Sequence, residues 1–151
     1  MSKKPLDSKD WRLLAALQAD ARAPLKTLAA DIGLSLAATA ERIKRLEADG
    51  VITGYHTDID LQAAGYPIMA LVAITSAQPH KEQLLNTLGR MTEVLECHHV
   101  TGADSYMITM VAKSIAHLEQ LVGSINAYGE TRSSIVMSSP IPRRAPRAAA
   151  E

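Results

Sequence analysis

Cys97, His98 and His99 stand side by side, and thiol and imidazole are the groups that ligate zinc or serve as nucleophile and base. Spacing argues against both uses. Neighbouring strand residues point to opposite faces, so His98 and His99 do not chelate one ion together. Cys97 and His99 share a face, yet two ligands fall short of a zinc site, and beyond these histidine neighbours no base is evident near Cys97 in the sequence. The three are read as core or interface residues, with no metal, no cofactor and no catalytic residue. A second group is cationic: Arg42, Lys44 and Arg45 crowd one stretch with Glu41, just after the small residues Ser35, Ala37 and Ala40. Such cations hold phosphate oxygens unless they merely face solvent, and small residues ahead of them allow close backbone approach. The third is a turn, Gly102-Ala103-Asp104-Ser105-Tyr106. A glycine-led turn exposes backbone N–H groups that can receive a carboxylate, and Asp104 can meet an ammonium group, which is the chemistry an amino acid requires. The alternative is an ordinary β-hairpin whose glycine supplies a positive φ.

The elements that must position these groups are legible. Asp7 is a good N-cap for a first helix, Asp10 stands at its third position, and Leu6 can staple onto Trp11. Trp11, Leu14, Ala15 and Leu17 then share a face until about Asp20. Pro24 suits the first turn of a second helix carrying Leu25, Leu28, Ala29 and Ile32, and Gly33 suits its left-handed end. Ser35 caps a third helix running to about Asp49, with Thr39, Ile43 and Leu46 inward and Ala37, Ala40, Glu41 and Lys44 outward, flanked by Arg42 and Arg45. The short turn Gly33-Leu34-Ser35 makes helices two and three a helix-turn-helix, whose second helix enters the major groove of DNA.

From Tyr66 the period changes. Ile68 to Thr75 is a β-rich run, Pro79 opens a helix with Leu84, Leu85, Leu88 and Met91, and strands follow at Val94–Thr101 and Tyr106–Ala112. Ser114 caps a helix with Leu118, Leu121, Val122 and Ile125, and Arg132–Ser139 is a last strand. The order βαββαβ is the split ferredoxin-like unit, so the fold class is α+β: a helix-turn-helix domain over 1–54, a linker over 55–66 with a short turn at 60–64, a ferredoxin-like domain over 67–139 and a loose basic tail over 140–151. Two helices cover one sheet face, and the other is apolar enough to want a partner subunit.

Several stretches resemble the Lrp/AsnC family of leucine-responsive, or feast/famine, regulators. They are Leu34 to Glu47 with Gly50-Val51-Ile52-Thr53-Gly54-Tyr55, the opening Leu6 to Gln18 with Asp20-Ala21-Arg22, Glu96 to Gly102, and Thr131 to Met137. The resemblance runs from about 6 to about 139 in the expected order. It implies double-stranded DNA as partner and a sheet-mediated homodimer that often assembles into tetramers or octamers. It also implies a small-molecule effector, an amino acid, at Gly102–Tyr106, with hydroxyls from Thr131 and Ser133 of a neighbouring subunit. Two positions depart from the family pattern: Leu36 replaces a proline, and the effector loop has Asp104 where an aromatic is usual and Ser105 where a second acid is usual.

Composition agrees without deciding. Across 151 residues the net charge is zero, with a small basic surplus in 1–52 (nine Lys/Arg, seven Asp/Glu) and the reverse in 53–151 (seven, nine). DNA binding therefore rests on geometry and on doubling the site by dimerisation, not on bulk charge. One cysteine, no apolar stretch of membrane-spanning length and no signal-peptide core point to the cytoplasm. The reading is a DNA-binding transcription regulator modulated by a small ligand, not an enzyme. Its rivals are a sirohaem-decarboxylase-like enzyme using His98 and His99, and an effector-independent architectural DNA-binding protein. The retained basic recognition helix, and the lack of a His/Arg cluster fit for a large acidic tetrapyrrole, weigh against the enzyme.

Overall fold

The computed structural model describes residues 5–144, 146 and 148. They form two compact units: the described residues up to Asp58 together with those from Pro142 onward, and Ile59–Ile141. The tail expected to be loose falls partly outside the described residues, and its described members belong to no helix or strand.

In the first unit α1 spans Ser8–Ala19, α2 Leu25–Ile32 and α3 Leu36–Ala48. Each end has a local cause. Asp7 Oδ1 accepts from the Asp10 backbone N–H at 2.8 Å while Asp10 Oδ2 accepts from that of Asp7 at 3.1 Å, a reciprocal capping box. Pro24 is the N-cap of α2 itself, one position before its expected place in the first turn, and Gly33 closes the helix at φ 64°. Ser35 Oγ accepts from the Ala38 N–H at 3.2 Å and starts α3. Leu13, Leu28, Ile32 and Leu46 are buried together, with Leu6, Leu14, Leu17, Leu34, Ile43 and Val51 packed around them.

The buried stripe of α1 differs from the expected one. Asp10 and Leu13 are its buried residues, Leu17 follows half-buried, Ala15 is exposed and Trp11 lies outside the core cluster. The stripe begins on a carboxylate, so an apolar period counted from Trp11 starts one position late. On α3 the expected face stands: Thr39 and Leu46 are fully buried and Ile43 is half-buried.

In the second unit β1 (Ile68–Thr75), β2 (Val94–His99), β3 (Tyr106–Ala112) and β4 (Glu130–Ile135) form one sheet of order β2-β3-β1-β4, with every neighbouring pair antiparallel. Helices α4 (Gln78–Leu88) and α5 (Ile115–Ile125) bury one face. Leu84, Leu88, Leu118 and Ile125 meet Ala70, Val72, Ile74, Ile108 and Met110 in a single cluster. Alternation sends Met69, Leu71 and Ala73 of β1, and Met107, Thr109 and Val111 of β3, to the helix-free face. Three boundaries move. β2 stops at His99 rather than Thr101, and α4 starts at Gln78, ahead of Pro79. β4 starts two residues earlier than expected and ends at Ile135, pairing β1 from Thr75 back to Ala70, with one further bond from the Val136 N–H to the Met69 carbonyl at 2.9 Å. The expected turn in the linker forms on Asp60, whose Oδ1 accepts from the backbone of Gln62 and Ala63 at 2.9 and 3.1 Å.

Candidate functional site

The outward face of α3 is built as its sequence suggests. Ser35, Ala37, Glu41 and Lys44 are exposed and Ala40 is half-buried. Arg42 and Arg45 are used differently from the phosphate-holding role expected of them. Arg42 Nη1 lies 2.7 Å from Asp7 Oδ2 and 2.6 Å from Asp10 Oδ1, and Arg45 Nη2 lies 2.5 Å from the same Asp10 oxygen. Asp10 is only 1% exposed, so its ion pairs join the first turn of α1 to the middle of α3 from the buried side, while Asp7 meets Arg42 at the surface. Hydrogen bonding from Arg42 holds the Asp7 carboxyl down at about 2. For Asp10 burial works upward, and the hydrogen bonds from Arg42, the Asp7 backbone and Arg45 outweigh it. Asp7 in turn pushes the Arg42 guanidinium upward, favouring the charged form of that pair. Two further cations, Lys9 and Arg12, donate to the carbonyls of Gly33 and Asp31 at the end of α2, where the helix dipole favours positive charge. In the sequence Asp7 and Asp10 read as caps alone; the signal for the network is an acid in an otherwise apolar stripe.

The turn after β2 is held from several sides. Gly102 adopts φ 113°, a backbone region that suits glycine. The Val100 N–H donates to the Ser105 carbonyl at 3.1 Å and closes the turn. Ser105 Oγ accepts from the Ser76 N–H at 3.1 Å and donates to the Ser76 carbonyl at 3.2 Å, continuing the β1–β3 pairing by a side chain. Thr75 Oγ1 reaches the Ala103 carbonyl at 3.2 Å and Asp104 Oδ1 at 3.3 Å. Arg132 Nη2 sits 2.5 Å from that same carboxylate oxygen.

The seven residues selected for this site are therefore not one cluster within the chain. Ala103 and Asp104 share contacts, and Ser105 is spent on the strand end. Tyr106 is 7% exposed in the helix-covered core, its ring centroid 5.1 Å from that of His99. Thr131 and Ser133 pair with Ile74 and Val72 and so belong to the helix side of β4, where Thr131 Oγ1 bonds Asn126 at 2.6 Å. Thr75, Ser76 and Arg132 were missed. The available signal was a lone arginine in a Ser/Thr-rich strand.

His98 pairs with Met107 and His99 with Tyr106, so the two imidazoles lie on opposite faces, and Cys97 shares the face of His99. Among the described residues no three His, Cys, Asp or Glu side chains gather as a metal site. The first unit also holds a cleft of about 350 Å³ beside Leu14, Leu17, Val51, Tyr55 and His56, which none of the selected residues lines. No helix among the described residues is long and apolar enough to cross a membrane.

Comparison with known proteins agrees with this geometry. Residues 6–47 match the AsnC-type helix-turn-helix domain, and residues 69–146 match the Lrp/AsnC ligand binding domain. The chain is 37% identical over 137 residues to the HTH-type transcriptional regulator LrpA of Mycobacterium tuberculosis, covering 89% of this chain and 91% of that protein. Among solved structures, a feast or famine regulatory protein of M. tuberculosis complexed with L-methionine superposes with a TM-score of 0.88 at 35% identity, over 95% of this chain and all of that one. LrpC of Bacillus subtilis has the same fold, with a TM-score of 0.88 at 24% identity over 93% of this chain and all of its own. Helix-turn-helix, βαββαβ sheet and both family matches occur in one order along one chain: it belongs to the Lrp/AsnC family of transcriptional regulators.

Proposed function

We propose that this regulator binds double-stranded DNA as a homodimer, in the cytoplasm, and that an amino acid modulates its binding or assembly. The observation that carries the DNA reading is the way α3 is mounted. Its inward face is fixed by Leu46, Thr39 and the Asp7–Asp10–Arg42–Arg45 network, while Ser35, Ala37, Glu41 and Lys44 are left to solvent. A helix held so firmly on one side presents the other to the major groove at a fixed angle. Ser35, Ala37, Ala40 and Glu41 then face base edges, and Lys44 holds phosphate. Arg42 and Arg45 serve this surface by positioning it, and their share in phosphate contact is small while Asp7 and Asp10 hold them.

The amino-acid reading rests on the Gly102–Tyr106 turn, with its positive-φ glycine and its acid, and on the 35%-identical regulator solved with L-methionine. Thr131 and Ser133 of a neighbouring subunit would complete that site, since the chain's own copies lie across the sheet.

Two recognition helices of a dimer fall about 34–36 Å apart or a multiple of it, so the operator should be an imperfect palindrome. Selection of binding sites from random duplexes, followed by footprinting at moderate salt, tests this. Enrichment of a palindromic site protected on one DNA face is the expected result. Dimers that bind selected and random duplexes equally would sink the sequence-specific reading and leave an architectural protein.

A further inference from the structure

The turn of the proposed effector site carries a feature beyond that reading. Asp104 offers one carboxylate and Arg132 one guanidinium, paired at 2.5 Å, beside the end of β1. Their surroundings are unequal. The Asp104 side chain is 19% exposed and is also held by Thr75, whereas that of Arg132 is 58% exposed. Arg132 commits one Nη to Asp104, and its other N–H groups make no hydrogen bond among the described residues. When this pair opens, Asp104 stays and the long, mostly solvated arginine swings.

We propose that Arg132 is a ligand-binding residue, and that the Asp104–Arg132 pair opens to read both charges of a zwitterion, Asp104 taking the ammonium and Arg132 the carboxylate. The inference rests on the amino-acid reading above and names what selects the ligand there. An exposed ion pair is weak, so parting it costs little. An amine alone would break one pair with Asp104 and make one pair with Asp104. A carboxylate alone would take Arg132 and strip Asp104 of its counterion. Only a ligand with both charged groups on one carbon exchanges one pair for two, and guanidinium and carboxylate are geometrically matched for the second. The site thereby rejects singly charged analogues without any contact to the ligand's own side chain.

Calorimetric titration of the full chain tests this with the twenty common amino acids, and then with the strongest binder and its primary amide, which lacks the carboxylate. For the wild type the amide should bind at least about tenfold more weakly. Arg132→Gln should weaken the amino acid by a similar factor yet tighten the amide, because Asp104 is then free of its competitor. Arg132→Lys should keep part of the amino-acid affinity. A merely structural arginine would move both ligands the same way, and unchanged melting of the variants excludes misfolding. Undiminished amino-acid binding by Arg132→Gln, or equal wild-type affinity for acid and amide, overturns the proposal while leaving the amino-acid reading in place. If the wild type binds none of the twenty, both fall together.

Discussion

Asp10 does three jobs with one carboxylate: it completes a helix cap, receives two arginines and occupies a buried position. Removing it leaves Arg45 without its carboxylate and Arg42 with Asp7 alone, around a buried position that has lost its charge, which is the costly way to break such a pair. Asp10→Ala should therefore lower stability by about 2–4 kcal/mol by denaturant titration, whereas removing the exposed Glu41 should change it by no more than about 0.5 kcal/mol. Equal small effects from both would mean that the network is ornamental. The same residues set an acid limit. Asp7 titrates at about 2 in the folded chain against an ordinary 3.8, and Asp10 is also held low. A carboxylate whose folded value is depressed contributes stability that is fully present above its unfolded value and is lost as pH falls through the folded one. The melting temperature should thus hold near neutrality and drop between roughly pH 5 and pH 2. Asp7→Asn should flatten that drop; an unchanged profile would show that other carboxylates set the acid limit.

The sequence disclosed the elements more fully than the contacts between them. Caps are local, so Asp7, Ser35 and Ser114 could be read from a few neighbouring residues, and each accepts the expected backbone N–H. The βαββαβ order is legible for the same reason, since periodicity is written along the chain. What connects distant residues is not. Arg42 and Asp7 are 35 positions apart, Arg132 and Asp104 28 apart, and nothing in either neighbourhood names its partner. So Arg42 and Arg45 of α3 looked free for phosphate and the acid of the turn looked free for an ammonium, and each is already paired within the chain. Gly129 shows the same gap at a strand start. Its φ of 163° is ordinary extended backbone, but a Cβ there would stand 2.1 Å from the Thr75 carbonyl oxygen. Gly129→Ala must push β4 away from the end of β1, where Thr75 holds Ala103 and Asp104. Loss of about 1–3 kcal/mol in unfolding free energy is expected, together with weakened ligand binding. Wild-type stability in that variant would show that the two strand ends are not in the close contact described.

For the whole molecule the question is how a chain of zero net charge holds DNA. Phosphate contacts release counterions, and each neutralised phosphate adds about 0.9 to the salt slope of binding. With Arg42 and Arg45 turned inward, Lys44 is the exposed cation of the recognition helix, so one chain has a small electrostatic grip and a dimer has twice as much. Lys44→Gln should reduce the slope by about 2 per dimer while leaving sequence preference in place, because phosphate contacts position and base contacts specify. Doubling in turn requires a face on which two copies meet. Leu71 is 41% exposed on the helix-free side of the sheet, beside Met69, Met107 and Thr109, and an apolar patch flanked by Arg132 and His98 fits the description of an interface with a polar rim. Leu71→Arg places a charge in the middle of that patch without touching the core on the other side. Light scattering should then report monomers for the variant and, on the proposed assembly, dimers for the wild type. Affinity for a palindromic site should collapse toward that of a single recognition helix, with the circular-dichroism spectrum unchanged. A variant that stays dimeric and keeps its operator affinity would move the interface elsewhere on the molecule, and the doubling argument would have to be rebuilt from that other surface.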